Sequence, residues 1–195
     1  VTSVRDEAKT REFYGECLGL EEIDPILFPN GPKMLRYMGG VSELKYIILD
    51  EDLPRTPGGL KNGAGIRMLT IFVNDGEGVV ERLKAKGYDT ESFFDHEGKL
   101  QRNGYVRDPE DNEISVVFLP DGVDPKSYRR MRINLSSRDM SKSRRFYGTV
   151  LGLQEEAASS SGGDKMRYHF QAGPTSIRLL HEDPTFPVPD KPVFH

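Results

Sequence analysis

The sequence has no tryptophan, a single cysteine and no long apolar run. One cysteine, Cys17, excludes an internal disulfide framework and fits a reducing compartment. No apolar stretch approaches the ~18–20 residues of a membrane-spanning helix, and the opening VTSVRDEAKT is not that of a signal peptide. Basic excess is also lacking. Against 27 lysines and arginines stand 31 aspartates and glutamates, a formal net charge of −4, which excludes the usual footprint of a nucleic-acid binder. There is no Gly-rich phosphate loop, no nucleophile elbow, and no pair of histidines at metal-ligand spacing. What is present is ordinary globular chemistry: 195 residues, 36% hydrophobic and 30% charged, enough for one or two domains with a genuine core. The expectation is a soluble, cytoplasmic protein whose partner is a small molecule, with neither nucleic acid nor membrane involved. A first residue Val1 and a last stretch KPVFH read as the ends of a fragment.

An internal repeat organises the chain. Ser3–Glu22 reads SVRDEAKTREFYGECLGLEE, and Ser136–Glu155 reads SSRDMSKSRRFYGTVLGLQE. The two are identical at 12 of 20 positions, displaced by 133 residues. In each copy an aspartate, Asp6 or Asp139, can cap a helix by accepting from first-turn N–H groups. Phe13, Cys17 and Leu18 recur at helical spacing in the first copy, as do Phe146, Val150 and Leu151 in the second. Gly19 and Gly152 stand where a left-handed residue ends each helix. Cys17 is read as a small core residue rather than a reactive thiol.

Between the copies lies the same order of elements in a different sequence. Ile66–Val73 alternates as a strand, Asn74–Asp75 offers a cap, and Val79, Val80 and Leu83 mark a helix face that Gly87 ends. Tyr88–Phe94, Leu100–Arg107 and Glu113–Leu119 read as strands, with Asp108-Pro109-Glu110-Asp111-Asn112 a hairpin turn between the last two. Three βαβββ units follow, near 1–52, 64–120 and 129–183. The run AASSSGG at 157–163 reads as a flexible loop.

This pattern resembles the vicinal oxygen chelate superfamily of glyoxalase I, bleomycin-resistance proteins, fosfomycin-resistance enzymes and extradiol ring-cleaving dioxygenases. The residues that carry the resemblance are RDEAKTREFYGECLGL in unit one, RDMSKSRRFYGTVLGL in unit three, and the V-N-D helix start and Y-V-R-D-P-E-D-N turn of unit two. It implies an α+β fold in which paired βαβββ units form cup-shaped mixed sheets. It also implies a first glyoxalase-like domain at 1–122, from units one and two, and half of a second at 123–195. Three is an odd number for a fold whose cup needs two units. A fourth unit is therefore expected to complete unit three, from a missing segment of the chain or from another subunit such as the second copy of a homodimer.

In that superfamily a divalent metal sits in the cup. A histidine seven residues before the helix-capping aspartate and a glutamate on the last strand hold it. Here the corresponding positions are Met68 and Arg132 on the first strands and Ser115 on a last strand, with Ile47 and Arg178 aligned through turns of uneven length. The first cup is expected to be metal-free. A divalent metal (Fe, Mn, Zn or Ni) is left only to a completed second cup. Because side chains two apart share a strand face, Met68, Thr70, Ser115, Tyr105 and Asn103 are candidate ligand contacts in the first cup. Arg132, Asn134, His169 and Arg178 are candidates in the second. Two arginines on one cup face suit a carboxylate or phosphate. The bland alternatives are a cup filled by its own side chains, and arginines facing solvent or a subunit interface.

Three functions are compatible with the resemblance. The first is an enzyme of the glyoxalase or extradiol-dioxygenase type, a lyase or ring-cleaving dioxygenase acting on a small polar organic molecule from a centre in the second cup. The second is a metal-independent, drug-sequestering protein of the bleomycin-resistance kind. The third is an interaction protein that keeps the fold alone.

Overall fold

The computed structural model describes residues 2–29, 31–49, 57–123, 131–156 and 167–187, and the 157–163 loop lies outside these. Unit one runs β1 (Thr2–Val4), α1 (Glu7–Thr10) with a π-helical continuation over Arg11–Cys17, then β2 (Glu22–Leu27), β3 (Lys33–Gly39) and β4 (Ser42–Ile48). Unit two contains β5 (Gly65–Val73), α2 (Gly76–Ala85), β6 (Asn103–Arg107) and β7 (Glu113–Phe118). Unit three contains β8 (Met131–Ser137), α3 (Met140–Arg145) with a π-helical continuation over Phe146–Val150, then β9 (Gln154–Glu156), β10 (Tyr168–Ala172) and β11 (Thr175–Glu182). No described helix is long and apolar enough to cross a membrane.

The expected helix caps are in place. Asp6 accepts from the Lys9 backbone at 2.9 Å, Asp139 from Lys142 at 2.8 Å and Asp75 from Gly78 at 3.0 Å. Gly19 and Gly152 close their helices at φ 69° and 67°, a conformation that costs glycine little. One expected strand is absent. Over residues 88–94 a 3₁₀ turn, Glu91–Phe93, replaces it, and only a single bridge, Phe94 to Leu100, remains. Asp89 accepts from the Glu91 backbone and starts that turn. The turn drives Phe93 fully inside, onto Gly104, where a Cβ would lie 2.4 Å from its ring.

The pairing of the units differs from the expectation. Unit one forms its own four-stranded sheet, β1-β4-β3-β2. Units two and three join in a seven-stranded sheet, β6-β7-β5-β8-β11-β10-β9. The seam is β5 antiparallel to β8, with Met68 opposite Asn134 and Thr70 opposite Arg132. The cup therefore belongs to units two and three, not to units one and two. It is unit three that has a sheet partner, while β1 of unit one pairs with β4 alone among the described strands.

Unit one packs instead on the outside of that sheet. The inner face of its helix and strands (Phe13, Tyr14, Leu35, Tyr37, Tyr46) shares one core with Ile71, Val73, Val79, Leu83, Ile114 and Val116 of unit two. Polar stitches fix the joint at the Asp108–Asn112 turn. The buried Tyr14 hydroxyl donates to Asp108 at 2.7 Å, and Arg5 donates to Glu110 through its backbone at 2.6 Å and its Nε at 3.1 Å. Cys17 is completely buried in this core, as its place in the apolar stripe implied. Unit three has a smaller core of its own, around Leu135, Tyr168, Phe170 and Leu179.

Candidate functional site

The alternation of side chains along β5 splits the seven-stranded sheet into two faces. Leu69, Ile71 and Val73 point to the shared core, while Met68, Thr70 and Phe72 point into a cavity of about 510 Å³ on the concave side. Strand register then carries the row across the sheet. Tyr105 lies opposite Ser115, Ser115 beside Thr70, and Thr70 opposite Arg132. In the next row Met68 faces Asn134, Asn134 lies beside Arg178, and Arg178 opposite His169. All nine residues singled out in the sequence line this one cavity, although they were expected in two.

Register also settles which positions correspond between units. Thr70 and Asn134 each stand five residues before their capping aspartate, and their strand partners are Ser115 and Arg178. Ser115 and Arg178 are thus equivalent. In unit one Thr2, four residues before Asp6, pairs with Tyr46, as Ile71 pairs with Val116. The equivalent of Ser115 there is Lys45, not Ile47.

The centre of the cup is held by Asn134, only 1% exposed. Its Nδ2 donates to the Met68 carbonyl at 3.2 Å and to Thr70 Oγ1 at 2.9 Å. A carbonyl only accepts, so the amide orientation is fixed by chemistry rather than chosen. That leaves Asn134 Oδ1 buried without a hydrogen-bond partner in the protein. Beside it the Arg132 guanidinium sits over the Phe72 ring at 4.7 Å, a cation–π contact that pins the charge to the cup wall. His169 is nearly buried, and burial holds its imidazole below the ordinary value. Arg178, Arg132 and Arg167 push the same way, and Glu156, its neighbour on β9, opposes them. Thr70, Ser115 and Met68 are likewise buried, whereas Tyr105 is 46% exposed at the mouth, its backbone clasped by Ser92.

Sequence reading missed Arg102, Arg167 and Leu180, which also line the cavity. Arg167 stands two residues before His169, so the same alternation could have found it. Arg102 falls inside the expected strand 100–107, where alternation puts it on the face opposite to that of Asn103 and Tyr105. The strand in fact begins at Asn103, so Arg102 does not follow that alternation.

The residues do not fit a divalent metal. The four positions at which the superfamily places its ligands hold a thioether, a hydroxyl and two guanidiniums. Arginine stays protonated and has no lone pair to offer. Among the described residues no group of three or more histidine, cysteine, aspartate or glutamate side chains could hold an ion.

With fold and cup in view, comparison with a family model gives the class of protein. The model of the Glyoxalase/Bleomycin resistance protein/Dioxygenase superfamily matches residues 1–116, and the chain belongs to that superfamily. A mutant of glyoxalase I from Zea mays superposes with a TM-score of 0.65 at 18% identity, over 92% of this chain and 65% of that one. Glyoxalase I from Zea mays itself gives 0.63 at 17%, over 91% and 64%. A glyoxalase family protein from Enterococcus faecalis is 26% identical, with a TM-score of 0.45 over 60% of this chain and 91% of that one. The Zea mays likeness is one of fold, and this chain spans less than two thirds of that protein's length. A search of curated proteins finds no match.

Proposed function

We propose that the chain is a metal-independent member of its superfamily that binds a small polar organic molecule in the cup of units two and three. One observation carries this reading: Met68, Ser115, Arg132 and Arg178 occupy the four metal-ligand positions of an otherwise complete cup. Metal analysis of the purified chain and a thermal-shift screen test it. Ligands should raise the melting temperature with or without chelator, by ~2.7 kcal/mol of stability at 100 times the dissociation constant. Stoichiometric metal together with ligand binding lost on chelation would sink it. The enzyme reading, a glyoxalase- or dioxygenase-type centre, is left to a cup built on unit one, whose sheet has no second half among the described strands, whereas unit two finds one in unit three.

We also infer that a further βαβββ unit, from a longer polypeptide or another subunit, covers unit one and unit three together. Unit two shows both modes of contact. Its β5 pairs with the first strand of unit three, and its α2 covers the helix of unit one. The matching surfaces, β1 and the helix of unit three, are those one more unit would cover. Unit one's Glu12 and Glu16, which pair with Lys86 of α2 at 2.9 and 3.3 Å, are replaced by Arg145 and Thr149. The covering helix should therefore carry an acidic residue where α2 has Lys86. A Val150→Cys variant reads the contact, since Cys17 is buried. In the native assembly the new thiol should resist labelling. Labelling as fast as that of the isolated 195-residue chain would refute the contact.

A further inference from the structure

Resting on the binding reading, we propose that the cup takes a compact organic anion that also carries a hydroxyl, a hydroxy-carboxylic acid or its phosphate counterpart. Three independent features point there. The cavity is lined by Arg102, Arg132, Arg167, Arg178 and His169, with no aspartate or glutamate among its described lining residues, in a chain whose net charge is −4. The nearest acids along the strands are Glu156, the partner of His169, and Glu113, the partner of Met68, and neither lines the cavity. A surplus of guanidinium inside a net acidic protein marks a place where negative charge is recognised.

The second feature is placement. Arg132 is held against Phe72, and Arg178 stands between Asn134 and His169 on adjacent strands. Planar guanidinium forks grip carboxylate or phosphate oxygens through paired hydrogen bonds. Third, a buried acceptor without a hydrogen-bond partner, Asn134 Oδ1, belongs to a residue of the same cavity wall. A buried acceptor left unsatisfied is costly, and a ligand hydroxyl beside the oxyanion would donate to it. Neighbouring Thr70 and Ser115 offer further hydroxyls for the same end of the ligand. A cationic ligand would meet the four guanidiniums and is selected against.

Calorimetric titration of the 195-residue chain with matched acids tests this. Malate and mandelate should bind, while succinate and phenylacetate, which lack the hydroxyl, should bind roughly tenfold more weakly, one hydrogen bond's worth. Arg132→Gln and Arg178→Gln should each weaken malate or mandelate by about tenfold or more with the circular dichroism unchanged. The acid pairs read Asn134 in the native protein, so the inference does not depend on an Asn134 variant that folds. Equal affinity within each pair, unchanged affinity in both arginine variants, or no binding of either hydroxy-acid at tens of millimolar overturns it. Stabilisation by bleomycin in place of the acids overturns the anion and leaves the metal-independent binding reading standing. Chelation-sensitive binding overturns that reading instead.

Discussion

Units one and three carry nearly the same helix and bury it in opposite degrees. Phe13, Cys17 and Leu18 are 0%, 0% and 2% exposed, and their counterparts Phe146, Val150 and Leu151 are 48%, 65% and 51% exposed. Local structure does not account for this, since both helices have the same aspartate cap, the same π-helical continuation and the same terminal glycine. The difference is α2. Across unit one, Arg82 donates to the Cys17 carbonyl at 3.1 Å, Lys86 bridges Glu12 and Glu16, and Tyr88 meets Phe13 edge-on at 5.1 Å. An amphipathic stripe in a sequence thus specifies a face, while a neighbour decides whether that face becomes core.

The contrast can be broken most sharply by truncating the equivalent phenylalanines. Phe13→Ala should cost ~3–5 kcal/mol, because it opens a cavity in the shared core. Phe146→Ala should stay within about 1 kcal/mol in the isolated chain. Urea midpoints measure both, and equal losses would mean that the two helices are equally enclosed. A smaller effect sharpens the joint that only unit one has. Burial holds the Asp108 carboxyl above its ordinary value, although hydrogen bonds from Asn112, from Tyr14 and from the Glu110 backbone work against that rise. The folded state therefore binds the proton more tightly than the unfolded state does. Stability from this group is fully present below the unfolded value of ~3.9 and falls as pH rises through the raised one. Asp108→Asn should flatten that part of the pH–stability curve, and an unchanged slope would remove Asp108 as its source.

Much of this was legible in the sequence, for physical reasons that differ from residue to residue. The helix caps at Asp6, Asp75 and Asp139 were readable because capping is settled within three residues. Side chains from Met68 to Arg178 were readable as cup-facing because strand alternation has a strict period of two. Which unit joins which was not readable. β1, β5 and β8 are all first strands, and their edges offer the same backbone groups to any partner. The missing strand at 88–94 failed for a related reason. Tyr88, Phe93 and Phe94 have strand-forming side chains, but Asp89 captures the backbone first, and burial of Phe93 rewards the turn. Arg178 as the counterpart of Ser115 needed strand register, which turn lengths alone obscure.

The antiparallel seam between β5 and β8 has one more consequence. Met68 stands opposite Asn134 and Thr70 opposite Arg132, so each residue faces the counterpart of its own neighbour two places along, and a local twofold axis passes between the two pairs. Geometry alone would let a ligand enter in either of two equivalent poses. Chemistry removes the equivalence: on one side of the axis stand Met68, Thr70 and Ser115, neutral, and on the other Arg132, Asn134 and Arg178, two of them cationic. Of the four arginines among the described lining residues, Arg132, Arg167 and Arg178 belong to unit three and Arg102 to unit two, so a molecule with one negatively charged end would favour the orientation that turns that end toward unit three. Duplication followed by divergence of one half is a short route from a symmetric cradle to a directional one.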